Sequence, residues 1–308
     1  MSLVLTDSRA PTLRPTQPHL DVGLPRERPT ERPMAILGVL GGALLGAFVL
    51  VALAAPLLAP YDPSAFVGRP LEWPSIAHWL GTNDVGQDIL SEVIYGTRAS
   101  LAVSIIAATA SLVVAASIGT TAGYFGGPTD AVLMRLVDVL LTLPQLPLMI
   151  VLAAFLPPSL GTTIVVIGAL GWGVSARVVR AQTLALRHEA YVVAAQQLGA
   201  RSRRVIGGYL IPALGPVLAA TFVAQASRAV ALEAGLAFLG LGDPLLKSWG
   251  TIMHAALSYR GIYFTPNWSW WLLPAGLNIS LLILAFTLLG VGLEERFDPR
   301  LRQRRRAR

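Results

Sequence analysis

Not one cysteine occurs among the 308 residues, which removes disulfide staples, thiol nucleophiles and thiolate metal sites together. Lysine is almost missing too: of 24 basic residues, 23 are arginine and one is Lys247. Charge of either sign is scarce, at 13% of the chain against about 25% in an ordinary soluble domain. No G-x-x-x-x-G-K-[S/T] phosphate loop is present, so the chain is not expected to hydrolyse ATP itself. Neither a G-x-S-x-G elbow nor an H-E-x-x-H pair occurs, which argues against a membrane-bound hydrolase. His78 and His254 stand alone, without the spacing of metal ligands. No catalytic residue, metal site or cofactor is expected within this chain.

What fills the sequence is apolar. Hydrophobic residues make up 54%, mean hydropathy is +0.61, and several runs reach the roughly 20 residues that cross a bilayer as helix. The reading is an all-α polytopic membrane protein with six transmembrane helices. The spans are expected at about 34–59, 98–124, 131–156, 162–183, 212–239 and 270–293, with boundaries good to a few residues. Pro144 and Pro147 lie inside the third. Residues 1–33 read as a disordered tail rich in Pro and Arg, 34–293 as the membrane domain, and 294–308 as a basic tail.

The net charge of +7 invites a nucleic-acid reading, but the placement of the charges opposes it. Arginines crowd the two ends and the connection 184–211, whereas segments 60–97 and 240–269 hold only Arg69, Lys247 and Arg260. The positive-inside rule then puts both termini, and 184–211, in the cytoplasm. Trp268, Trp270 and Trp271 fall where the sixth span would enter from outside, as an interfacial aromatic belt would. Gly41, Gly42 and Gly46 offer a small-residue face for helix packing, within the chain or against a partner.

The connection 184–211 carries the most specific pattern. "EAYVVAAQQLGARSRRVIGGYLIP", Glu189 to Pro212, reads as a short helix with an acid near its start, a Gly199 stop, and a second helix that Ser202 could cap. Ala194-Ala195, three residues, Gly199, nine residues, Tyr209, one residue and Ile211-Pro212 resemble the EAA loop of ABC-importer permeases. Val193 stands where the Glu of that motif would be, and Tyr209 and Ile211 replace an Ile and a Leu. The likeness continues in order through "HWLGTNDVGQDILSEVIYGTRASL" (78–101), with Asn83 and Gln87 at positions more usually Asp and Arg. It goes on through "RLVDVLLTLPQLPL" (135–148), "AFLGLGDPLLKSWGTIM" (237–253) and "GVGLEERFDPRLR" (290–302). The chain therefore resembles the dipeptide/oligopeptide/nickel importer permeases, and among them the second permease subunit of peptide importers.

That resemblance implies the type I importer permease fold in a bacterial inner or plasma membrane. It also implies a homologous second permease, two ATPase subunits holding ATP and Mg, an extracytoplasmic substrate-binding protein, and surrounding lipid as partners. Short peptides are the implied cargo. Nickel or another small solute is the alternative within the class, and a self-sufficient channel or secondary carrier the alternative outside it. Glu189, Ala190, Val193, Ala194, Ala195, Gly199, Arg201 and Pro212 are the expected ATPase-coupling residues, with Gly199 and Pro212 as fixed corners. Charges inside spans are costly and point to function. Asp138, Arg228 and Glu233 are expected to face the translocation pathway, and Arg135 and Asp138 are close enough on one helix to pair.

Overall fold

The computed structural model describes residues 31–297, with side-chain surroundings for 36–293; the amino-terminal tail and the basic carboxyl end lie outside the described residues. Ten α-helices appear in this region: α1 (Glu31–Leu58), α2 (Ile89–Phe125), α3 (Gly127–Thr142), α4 (Gln145–Phe155), α5 (Leu160–Leu186), α6 (Ala190–Gln197), α7 (Ser202–Val205), α8 (Ile211–Phe238), α9 (Trp249–Ser258) and α10 (Leu272–Phe297). Among the described residues no strand forms, only an isolated bridge between Thr82 and Asp88. Five spans are long and apolar enough to cross a membrane, and α3 with α4 make a sixth if that bent pair is taken as one.

Two of the expected spans differ from what forms. The second begins nine residues earlier than Arg98, at Ile89, because Asp88 caps it: its carboxylate accepts from the Ser91 amide at 2.8 Å and the Ser91 hydroxyl at 2.7 Å. The other oxygen of Asp88 meets His78 Nδ1 at 2.9 Å, so His78 braces the cap. At 37 residues α2 is about 55 Å long, well beyond the hydrocarbon thickness of about 30 Å. A single straight crossing therefore uses only part of it. The third span is broken. Leu143 and Pro144 are extended, and α3 and α4 meet at 82°. Pro144 has no N–H to continue α3 and pushes Leu143 out of the helical region.

Helix packing centres on α5, the most enclosed span, while α1 is among the least enclosed. Backbones approach closely where glycine permits it. A Cβ on Gly119 would lie 2.6 Å from the Ala176 carbonyl, and one on Gly123 would lie 2.7 Å from Thr183 Cβ, so α2 and α5 form one block. Gly41 likewise has no room for a side chain against Leu289 of α10, an internal contact, whereas Gly46 faces open space.

The largest core cluster runs along the bundle from the end opposite α6, joining α1, α2, α8, α9 and α10 around Trp249, Trp271 and Phe286. Trp249 Nε1 donates to the Val93 carbonyl at 3.0 Å. Here the aromatic-belt expectation fails: Trp271 is fully buried and Trp270 nearly so, and only Trp268 is half exposed. More exposed aromatics on this side include Phe66, Trp73, Trp79, Tyr263 and Phe264. Both indoles were drawn inside because α9 and the turns after it fold over the start of α10.

Candidate functional site

Between α5 and α8 the chain makes a compact elbow. Arg187 ends α5, and its Nη1 donates to the Gly123 carbonyl at the end of α2, at 3.1 Å. Glu189 is the N-cap of α6, with no side-chain capping bond. The far end of α6 closes as a Schellman turn: the Gly199 amide donates to Gln196 and the Ala200 amide to Ala195, both at 3.0 Å. Gly199 sits at φ +81°, a conformation that costs any side chain with a Cβ. That glycine is the corner of the elbow.

Pro212 is not a corner. From Ser202 to Phe238 the backbone is one helical run, with a π turn at Ile206–Leu210 just ahead of the proline. The Ile211 amide reaches back to the Ile206 carbonyl, and that widened turn accommodates the N–H that Pro212 lacks. Nor does Ser202 cap α7: Arg201 occupies the N-cap and Ser202 is the first helical residue.

The two faces of α6 differ in purpose. Val192 points inward and joins Val205 and Leu210 in a small core with Tyr124 of α2 and Leu186 of α5, and Ala195 is buried as well. Ala195 is thus a packing residue. Ala190 and Ala194 are exposed and Val193 is half-buried. Two residues that the sequence reading passed over complete the outer face: Tyr191, 43% exposed, and Leu198, 88% exposed. Positions 191, 194 and 198 follow the three-and-four spacing of one helical stripe, which was the signal available. Arg201, Arg203 and Arg204 are exposed beside it. The short helix is thus stapled to two spans by one face and leaves an apolar stripe, edged with arginine, uncovered on the other.

The ordered motifs, the membrane helices and this elbow agree with the comparison to known proteins. The family described as binding-protein-dependent transport system inner membrane component matches residues 115–303. The chain belongs to that family. It is 35% identical over 274 residues to the oligopeptide transport system permease protein OppC of Bacillus subtilis, covering 87% of both chains. The dipeptide transport system permease protein DppC of Alkalihalophilus pseudofirmus is 32% identical over 273 residues, 86% of each. Its namesake from Bacillus subtilis is 34% identical over 269 residues, covering 85% of this chain and 82% of that one. The permease is accordingly a multi-pass component of the plasma membrane and the non-catalytic, transporting part of an importer that works with a binding protein and an ATPase.

The charged residues singled out inside the permease's spans are dispersed. Glu233 is 4% exposed and accepts from the Ser100 hydroxyl of α2 at 3.1 Å; it ties α8 to α2. Arg228 is exposed on α8. Asp138 does not take Arg135 as its partner but receives Arg177 Nη2 of α5 at 2.6 Å. One turn further along α5, Arg180 binds Asp130 through both Nε and Nη2. These four side chains, with Ala131, Met134 and Arg135, line a polar cleft of about 520 Å³ between α3 and α5. Sequence reasoning passed over Arg177, Arg180 and Asp130 because their pairing spans 39 and 50 residues.

On the opposite side, Asn83 Nδ2 donates to Gln87 Oε1 and to Glu92 Oε1, each at 3.0 Å. Lys247 Nζ completes the group, at 2.7 Å from Glu92 and 2.8 Å from Gln87. An amide pair thus meets a buried carboxylate, and the cation that joins them comes from the loop before α9.

Proposed function

We propose that this permease carries short peptides, pairs with a homologous second permease, and sits on two ATPase subunits that engage the elbow 184–211. Both termini and the elbow lie in the cytoplasm in this reading, and the binding protein delivers cargo to the face bearing segments 60–88 and 240–271. ATP and Mg belong to the ATPase chains. Peptide cargo is supported by the oligopeptide and dipeptide relatives, which cover most of the chain. The cytoplasmic side of the elbow is supported by the arginine distribution. Contact with cargo falls to Asp138, beside the α3–α5 cleft, and to the exposed Arg228. Glu233 serves the pathway from behind, as a brace.

The single observation that carries the coupling role is the outer stripe of α6: Ala190, Tyr191, Ala194 and Leu198 present an apolar face that its own chain leaves uncovered. Leu198→Asp tests it, because at 88% exposure the change costs this chain little. Interface anchors are worth upwards of ~1 kcal/mol, so the ATPase should co-purify with the variant at least several-fold less well, while insertion stays normal. Undiminished recovery of ATPase with Leu198→Asp would overturn the assignment.

A further inference from the structure

Helix α3 is held to the rest of the permease in an unusual way. It has one fully buried residue, Val137, and Val132, Leu136 and Val139 are all more than half exposed. Its neighbours are α2 and α5, themselves locked together through Gly119 and Gly123. Both of its ends are joints. At one, Gly126 and Gly127 take φ of +65° and +53°, and a side chain on Gly127 would meet nothing within 4 Å. At the other lies the extended pair Leu143-Pro144, with the 82° bend to α4. What ties this jointed rod to the α2–α5 block, apart from Val137 and its neighbours, is the double ion pair Arg180–Asp130 and Arg177–Asp138.

The two arginines occupy the last turns of α5, which ends at Leu186, three residues before α6 begins. Any displacement of α6 therefore reaches them through a short, stapled connection: Val192, with Val205 and Leu210, is packed with Leu186 and Tyr124. Partly exposed ion pairs do little for stability, and here both side chains of the outer pair are about half exposed. Their value is directional. Two charge pairs side by side, one of them two-pronged, fix both the position and the rotation of α3 relative to α5.

From this geometry we infer that Asp130, Asp138, Arg177 and Arg180 are positioning residues for transport: they carry the displacement of the ATPase-docked elbow to α3, which swings about its two joints and alters the α3–α5 cleft. This rests on the coupling reading above and assigns the link beyond it. Since α3 is the half-span whose cleft bears Asp138, moving it changes what cargo meets.

The chain's lack of cysteine makes the test direct. In the complete importer in lipid nanodiscs, spin labels on Val113→Cys and Val132→Cys report the α2–α3 distance. Labels on Val113→Cys and Arg203→Cys report the elbow. Both distances are read without nucleotide and with ATP trapped by vanadate. The expected result is that both shift in the otherwise native chain, and that Asp130→Asn with Arg177→Gln, which breaks both pairs and leaves Asp138 in place, abolishes the α3 shift while the elbow still moves. Uptake per ATP hydrolysed should then fall on the order of tenfold, the scale of an ordinary coupling energy between sites. The swap Asp130→Arg with Arg180→Asp should recover part of it, which a misfolded variant would not. If the elbow moves but α3 stays still, or moves equally in the variant, the linkage is wrong and the coupling reading survives. An elbow that ignores nucleotide overturns both.

Discussion

Gly123 and Gly199 show what single residues decide in this permease. A side chain at Gly123 would strike Thr183 and the Arg180 carbonyl, neither able to retreat from a helix core. Gly123→Leu should lower stability by about 1–3 kcal/mol or more, the cost of overpacking, seen as a fall in melting temperature in detergent and a poorer yield of monodisperse protein. Gly199 is different: a side chain there meets open space, and only the backbone objects. Gly199→Val forces a β-branched residue to positive φ at about 1–2 kcal/mol, taken from the Schellman turn alone. The bundle should melt as before, while ATP-driven uptake drops at least several-fold. Unchanged uptake would show that the corner at 199 need not be fixed.

Among the elements, those with long apolar runs were legible and those set by side-chain capping or by tertiary contacts were not. α5 and α8 fall within a few residues of their expected spans, because lipid-length hydrophobicity alone defines them. α9 was read as loop. Its start depends on a reciprocal cap between Ser248 and Thr251 and on Trp249 being buried against Val93, 156 residues away in sequence. The elbow was readable at Gly199, since a positive φ after a helix asks for glycine. The burial of Ala195 was not, because which face of so short a helix turns inward is decided by tertiary packing. The break between α3 and α4 is signalled by Pro144, although apolarity alone makes 131–156 one span. Pro144→Ala with Pro147→Ala restores two amide donors and should let one helix run through. Labels at Val132 and Phe155 would then separate toward the roughly 35 Å of a straight helix of that length, and uptake should decline with the lost joint. A distance unchanged by the double substitution would mean that packing, not proline, holds the bend.

At the scale of the whole molecule, the charge pattern divides the permease into an arginine-edged end carrying the elbow and an aromatic end carrying Trp73, Trp79 and Phe264. Labelling from one side of the membrane checks the orientation. A membrane-impermeant maleimide should modify Ile76→Cys, 97% exposed, in spheroplasts, and should reach Gln197→Cys only after permeabilisation. The reverse pattern would invert the topology. The small core under α6 has one more consequence, for biogenesis. Val192, Val205 and Leu210 are already covered by Tyr124 and Leu186 of the same chain, so the elbow has its shape without a partner. In the proposed docking, a soluble subunit then meets a finished surface, and little freedom is lost in ordering what it binds. Assembly of such a complex is limited by encounter rather than by folding.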